Sequence, residues 1–431
     1  MATLETPTKL RELRQALYQR AKKEPRFRFY ALYDKVYRPD VLTHAYELAR
    51  ANGGAAGPDG VTFEQIEEKG SADLLKELHE ALKTKSYKPG PVRRVYIPKV
   101  GGGERPLGIP NIGDRVVQTA AKLILEPIFE ADFDEDSYGF RPKRDAHQAL
   151  EAIEAALKEG MCWVLDADIT AFFDTIPHDR LMKAVAERVV DGAMLALIKM
   201  FLEAPIVDDR DGGPPRRNRQ GTPQGGVISP LLANIYLGLL DRNFRRHSTA
   251  GRLQAGRLVR YADDFVLLTR NEPKDERRWI EGLLGKLGLT LSEAKTRVID
   301  ARRTTFDFLG HTIRFNRGRV YWDIARKSQG RVRDQIRRRT RQTGMSLPNV
   351  VSSLNEYIRG ARNYFRRVLQ QRFCRLDYFV MQRLARWSAR KHKRRGPAWS
   401  LVQGGALWSQ HGLQRWYVPR GLASAPSRSS R

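Results

Sequence analysis

Two hydrophobic periods alternate along the chain. Leu10, Leu13 and Leu17, then Leu42, Ala45 and Leu48, recur at three- and four-residue spacing and predict helix across residues 8–50. Gly53 to Gly60 reads as a loop, and a helix is predicted over Ser71 to Lys85 with Ser71 or Asp73 as its cap. From Val92 to Pro98 the period becomes two, which predicts a strand ending in the turn Gly101-Gly102-Gly103. Helical spacing returns over Asp114–Phe129 and Ala146–Lys158. Cys162 to Ile169 reads as a buried strand ending on an acid, followed by helix, a Gly/Pro loop and helix as far as Asn243. Residues 257–270 predict a hairpin, then a helix and short strands including Phe306 to Phe315. Residues 326–395 carry long helical periodicity without clear strands, so a domain boundary is expected within 316–326. The expected fold class is α+β. The last segment, 396–431, holds Trp399, Trp408, Trp416 and Tyr417 among Gly and Ser, and its final ten residues are expected to be disordered.

Composition narrows the partner. The 431 residues exceed one small core, and 77 Lys plus Arg against 49 Asp plus Glu leave a net charge of +28. That excess favours a polyanion, most simply nucleic acid. A membrane surface fits less well: no apolar run approaches a spanning helix, and the basic residues are spread along the chain. Cys162 and Cys374 are the only cysteines, which excludes a disulfide framework and a zinc site of paired cysteines. The first ten residues lack a hydrophobic signal core and a transit pattern, so a bacterial cytoplasm is the expected location, with nucleoid association when DNA is bound.

The chemistry concentrates in the hairpin. Leu258-Val259-Arg260 and Phe265-Val266-Leu267-Leu268 flank Tyr261-Ala262-Asp263-Asp264, placing two adjacent carboxylates at a tip. Adjacent acids beside apolar strands are costly unless a divalent cation neutralises them. Asp168, at the end of the buried strand, leads into Ile169-Thr170-Ala171-Phe172-Phe173-Asp174. Alone it reads as the cap of a strand-to-helix turn; the acidic hairpin makes it a metal ligand. Two Mg²⁺ ions about 3.5–4 Å apart could be held between such carboxylates and substrate phosphates. Arg93, Lys99 and Arg105 lie on two strands joined by the glycine turn and suit a triphosphate, although alone they read as a solvated edge strand. In the Gln220–Pro230 loop, Gln224 could bond a nucleotide, Gly225 and Gly226 allow close backbone approach, and Ser229 with Pro230 predicts an N-cap and first helical residue.

Together these segments resemble group II intron reverse transcriptases, the intron-encoded maturases, from about Leu32 to about Arg395. Ala49 to Val61 is similar to the family's first fingers block. Ile97-Pro98-Lys99 with Arg105 to Pro110 is similar to its triphosphate-binding block, and Ser137-Tyr138-Gly139-Phe140-Arg141-Pro142 to another signature. Asp168 to Ile176, the Gln224-Gly225 loop and Tyr261 to Asp264 resemble the palm. Leu289 to Thr296 and the Phe308–His311 primer grip resemble its last blocks. The resemblance implies a right-hand polymerase with antiparallel palm sheet and helices, then a helical thumb or maturase domain. In segments, 1–85 would be the N-terminal extension and start of the fingers, 86–315 fingers and palm, 316–395 the thumb/maturase domain and 396–431 a basic, aromatic tail suited to DNA. It implies that Asp168, Asp263 and Asp264 are the catalytic acids, Asp264 the least direct ligand, with the Ile169 carbonyl completing a metal site for Mg²⁺ or substituting Mn²⁺. Arg93, Lys99 and Arg105 would hold the triphosphate, and Gln224 would line the pocket. Phe172, or Phe173 one residue on, would be the gate against a 2′-hydroxyl.

Within Leu354 to Arg367, Leu354, Ile358, Ala361 and Phe365 share one helical face, while Arg359, Arg362, Arg366 and Arg367 fall largely elsewhere. The apolar stripe reads as core and the arginines as a nucleic-acid surface, in salt-sensitive contact with phosphates. The implied partners are a group II intron RNA, an RNA template with a DNA primer, and target DNA; dimerisation is left open. The paired-cysteine, His-Asn-His nuclease pattern of many such proteins does not occur in this sequence. The expected activity is RNA-directed DNA synthesis coupled to splicing and retrohoming. The alternatives are a related enzyme recruited to repair, phage defence or a CRISPR system, and a non-catalytic RNA-binding splicing factor.

Overall fold

The computed structural model describes residues 4–98, 103–210, 213–397 and 406–416. Lys99, Trp399, Tyr417 and the final ten residues lie outside them. The chain divides into two compact units, one of residues 1–156 and 160–298, the other mainly of residues 299–431.

The first unit begins with helices α1 (Thr8–Lys23), α2 (Tyr33–Val36), α3 (Pro39–Asn52), α4 (Phe63–Lys69) and α5 (Ser71–Lys83). The helical region expected over 8–50 holds three helices. Pro25 lies in the first break and Pro39 starts α3, the position where a missing N–H costs least. α4 is additional to the expected elements; Thr62 and Gln65 form its reciprocal capping box. α5 starts at Ser71 without a side-chain cap. Strands β1 (Val92–Pro98) and β2 (Glu104–Ile109) form an antiparallel pair, and helices α6 (Ile112–Glu130) and α7 (Ala146–Lys158) follow. Most of α6 is buried, and it packs against α1, α2, α3 and α5.

β3 (Trp163–Ala167) leads through α8 (Phe172–Thr175), α9 (His178–Ala186) and α10 (Gly192–Glu203) to β4 (Ile206–Asp208), which adds to β1 in parallel. Asp191 caps α10 and also accepts hydrogen bonds from the backbone of Leu32 and Tyr33. Burial raises its pKa, but the backbone N–H groups of Leu32, Tyr33, Ala193 and Met194 outweigh burial and hold it below the usual carboxylate range. α11 (Ser229–Thr249) precedes the hairpin of β5 (Gly256–Tyr261) and β6 (Asp264–Thr269), and β6 pairs antiparallel with β3. These strands bury Val164, Leu165, Val259 and Phe265 to Leu268 almost completely. α12 (Lys274–Lys286) and β7 (Arg297–Asp300) bring the chain to the division between units.

The second unit holds an antiparallel sheet of β8 (Phe306–Phe308), β9 (His311–Asn316) and β10 (Arg319–Ile324). Helices α13 (Arg326–Arg339), α14 (Leu347–Tyr364) and α15 (Cys374–Lys391) follow. Of the expected stripe, Leu354, Ile358 and Phe365 are buried and Ala361 is half-buried. The short helix α16 (Ala406–Ser409) and residues as far as Trp416 dock on this helical set. Trp416 is fully buried beside Tyr357 and Phe373, and its backbone N–H donates to Asp377. Among the described residues no helix is long and apolar enough to cross a membrane.

Candidate active site

The hairpin that carries the acids is held from three sides. Its two-residue loop is Ala262-Asp263, with Tyr261 paired to Asp264, so Asp263 sits in the turn and Asp264 starts β6. Ala262 has φ +60°, a conformation that costs a non-glycine residue about 1–2 kcal/mol. Arg260, fully buried, donates from Nη1 to the Ala262 carbonyl at 2.9 Å and so braces that turn. Its guanidinium also meets both oxygens of the buried Asp241, at 2.5–3.0 Å, and the Asn234 side chain at 3.0 Å. Asn234 in turn donates to the Gly139 carbonyl at 2.8 Å.

The second side is the Ser137–Pro142 segment. Tyr138 N–H donates to the Arg260 carbonyl at 2.8 Å, so this segment runs beside β5. A side chain at Gly139 would fall on the Ala262 nitrogen, closer than 3.0 Å. The glycine is required because two backbones touch there. Arg141 is buried on Glu130 and the carbonyls of Asp134 and Ser137.

On the third side, Asp168 follows the last residue of β3, and Ala167 pairs with Phe265, which brings Asp168 to the Asp264 end of β6. The Leu289–Thr296 segment passes alongside: Ser292 N–H donates to the Asp168 carbonyl at 2.8 Å and Thr170 N–H to Thr290 at 2.9 Å. This path carries Lys295 to the acid, Nζ donating to Asp168 Oδ2 at 2.9 Å. Ile169 is buried and bridges Leu291. Ala171, φ +46°, is a second left-handed alanine close to the acids.

The electrostatics tie the three acids together. Burial, then the charge of Asp168, raise the Asp263 pKa. Desolvation within the site, then Asp263 and Asp168, push Asp264 up to about 6 even though its side chain reaches solvent. Arg105 and Lys295 act on both acids in the opposite sense. Among the described residues no group of three or more His, Cys, Asp or Glu side chains forms a ready metal cage. That is compatible with Mg²⁺, which takes one or two carboxylates and completes its shell with phosphates and water. Asp263 and Asp264, both raised by burial and by the charge of neighbouring carboxylates beside a turn, are a donor set that a cation would relieve.

Arg105 is exposed on β2 and its charge reaches the acids. Arg93, on β1, lies 3.8 Å from Asp209, and Lys99 lies outside the described residues. Phe172 is 2% exposed, with Phe173, the more accessible ring, edge-on at 5.3 Å. Gln224 reaches Asp174 at 3.4 Å, while its carbonyl accepts from Gly108 N–H at 2.5 Å. A side chain at Gly225 would strike the Gly108 carbonyl, so the close approach this glycine permits is to β2. Ser229 is not the N-cap: it is the first residue of α11 and donates to the Pro223 carbonyl at 3.0 Å. In the second unit Arg359 and Arg366 are exposed, Arg362 donates to the Arg415 carbonyl at 3.1 Å, and Arg367 lies 5.4 Å from the Trp322 ring. His311 is fully buried against Trp322, Tyr364 and Phe365.

Sequence reasoning missed the brace, Arg260, Asp241 and Asn234, and the counter-ion Lys295. Only for Lys295 was there a signal, its place in the Leu289–Thr296 block.

The family model described as "Reverse transcriptase (RNA-dependent DNA polymerase)" matches residues 97–313, and that described as "Group II intron, maturase-specific domain" matches 329–405. The chain is 35% identical over 346 residues to Protein YkfC of Escherichia coli (strain K12), covering 72% of this chain and 89% of that protein. It is 32% identical over 351 residues to Group II intron-encoded protein LtrA of Lactococcus lactis subsp. cremoris, covering 67% of this chain and 57% of that protein. The solved structure of telomerase from Candida albicans with a fragment of telomeric RNA aligns with TM-score 0.43 and 14% identity, over 76% of this chain and 66% of that chain.

Proposed function

The chain belongs to the group II intron reverse transcriptases, RNA-directed DNA polymerases followed by a maturase-specific domain, and from that premise we propose a specific role. The protein binds a group II intron RNA, assists its splicing and copies it into DNA from a primer at the target site. The observation that carries this reading is the convergence of Asp168, Asp263 and Asp264 at one braced hairpin, with Lys295 and Arg105 as counter-charges.

Asp168, Asp263 and Asp264, with the Ile169 carbonyl, would hold divalent cations, Mg²⁺ or Mn²⁺ in its place. When bound, these lower the pKa of the primer 3′-hydroxyl and take up charge on the departing pyrophosphate. The side chains supply the rest. Arg105, with Arg93 and Lys99, binds the triphosphate and offsets its charge, aligning the α-phosphate for in-line attack. Lys295 holds the Asp168 carboxylate in place until the substrate complex forms. Phe172 stands under the sugar and excludes a 2′-hydroxyl, with Phe173 as the alternative gate; Gln224 lines the same pocket. We assign residues 86–315 to fingers and palm and 316–395 to the thumb and maturase function. Arg359, Arg362, Arg366 and Arg367 face nucleic-acid phosphates. The protein works in a bacterial cytoplasm, on DNA when copying.

The test is direct. Purified protein with Mg²⁺, dNTPs and a primed RNA template extends the primer. Asp263→Ala abolishes extension and leaves RNA affinity within about three-fold, because a phosphate-dominated interface does not use that carboxylate. Failure of the unaltered protein to extend across a range of salt would overturn the catalytic assignment.

A further inference from the structure

Outside the acidic site, a concentration of chemistry lies between α13 and α15. Arg333 and Arg337, one turn apart on α13, both face the ring of Phe379 on α15, with guanidinium carbons 5.8 and 5.4 Å from its centroid. Beside them opens a groove of about 560 Å³, lined also by Arg375, Tyr378 and Gln382 of α15. Tyr378 presents a ring that is 55% exposed. Arg333 Nε is shielded from solvent and has no hydrogen-bond partner among the described residues. Asp334 partly offsets Arg337, at 2.5 Å, but no described residue lining the groove is acidic.

Packing explains part of this. The two arginines over Phe379 help join α13 to α15. Packing does not explain the Tyr378 ring left open to water, or the exposed Arg375 beside it. Aromatic faces alternating with guanidinium groups are what an unpaired nucleic-acid strand uses: bases stack on rings and phosphates take the charge. The chain's +28 charge fits that polyanion. A paired duplex offers its backbone but keeps its bases stacked, so it could not use Tyr378. The groove has room for one or two nucleotides.

We propose that the α13/α15 groove binds single-stranded RNA, seating an unpaired base against Tyr378 and Phe379 and its phosphates on Arg333, Arg337 and Arg375. This site is separate from the α14 arginines and needs no polymerase activity, so its test can fail without touching the reading above.

Cys374 provides the readout. It is exposed and lines the groove, whereas Cys162 is buried. The full-length protein is first saturated with a chain-terminated primer–template duplex to fill the copying site. An unstructured oligouridine of about 12 nucleotides is then added, and the rate of Cys374 alkylation is followed together with binding anisotropy. The RNA should slow alkylation about ten-fold. Tyr378→Ala and Arg375→Glu should each weaken binding about ten-fold and remove the protection, while Tyr378→Phe retains both. Both positions are exposed, so unchanged melting midpoints establish that the variants are folded. The proposal is overturned if oligouridine leaves the alkylation rate unchanged, if the two variants bind and protect as the native chain does, or if a fully paired duplex of the same length protects equally well.

Discussion

Asp241→Ala should loosen the turn that carries the acids, and the structure sets the scale. Arg260 is fully buried and Asp241 is 4% exposed, so neither charge can be relieved by water. The guanidinium makes its shortest contact, 2.5 Å, to this carboxylate, with Nε also on it, and places Nη1 on Asn234 and on the Ala262 carbonyl. Deleting the carboxylate strands a cation in a dry site, at about 3–5 kcal/mol. At about 2–4 °C per kcal/mol for a unit of this size, the melting midpoint should fall by about 10 °C. Stability alone does not establish the brace, so a second variant is needed. Replacing the pair with apolar side chains, Arg260→Met with Asp241→Leu, should return stability to within about 1 kcal/mol of the native chain. The Ala262 carbonyl still lacks its donor in that variant. A displacement of about 1 Å at the acids costs about 100-fold in rate, so extension should stay low. Thermal unfolding gives the first quantity. Single-nucleotide primer extension, at a temperature where every variant is folded, gives the second. The reasoning fails if Asp241→Ala costs less than about 1 kcal/mol, or if the apolar pair restores extension along with stability.

Gly139→Ala should lower primer extension at least about ten-fold with RNA affinity unchanged, because the new methyl group falls on the Ala262 nitrogen; steady-state extension beside a binding titration decides it. Burial pushes the Asp114 carboxyl up to about 6, against hydrogen bonds from Tyr87 and Gly90. Its folded pKa therefore lies above the unfolded one, and the folded state binds the extra proton between them. Its contribution to stability is full below about pH 4 and is lost by about pH 6, amounting to about 3 kcal/mol. Urea midpoints across that range should fall for the native chain and flatten in Asp114→Asn. Phe172→Val should reduce the preference for dNTPs over rNTPs about ten-fold in kcat/KM; if only Phe173→Val does so, the gate is one residue further along.

What was legible in the sequence follows from how local each cause is. The strands around the acids could be read because Val259, Phe265 and their neighbours are fully buried, and burial of that kind writes a continuous apolar run. Ala146–Lys158 matched to the residue because its apolar period has no competitor. α4 was missed although Thr62 and Gln65 spell its capping box, for seven residues are too few to show a period. The brace could not be read at all. Arg260 and Asp241 look like ordinary surface charges in the sequence, and only the packing of α11 on β5 buries them together. Lys295 could be read in part: it stands in the Leu289–Thr296 block, but it becomes a counter-ion only because Leu291 bridges Ile169. The acids announce themselves because three carboxylates are costly wherever they stand. The groups that hold them are individually unremarkable, and their role exists only in the folded chain. The candidate acids are therefore found by composition and spacing, whereas the residues that position them must be found by asking which buried polar group each backbone atom of their turn touches.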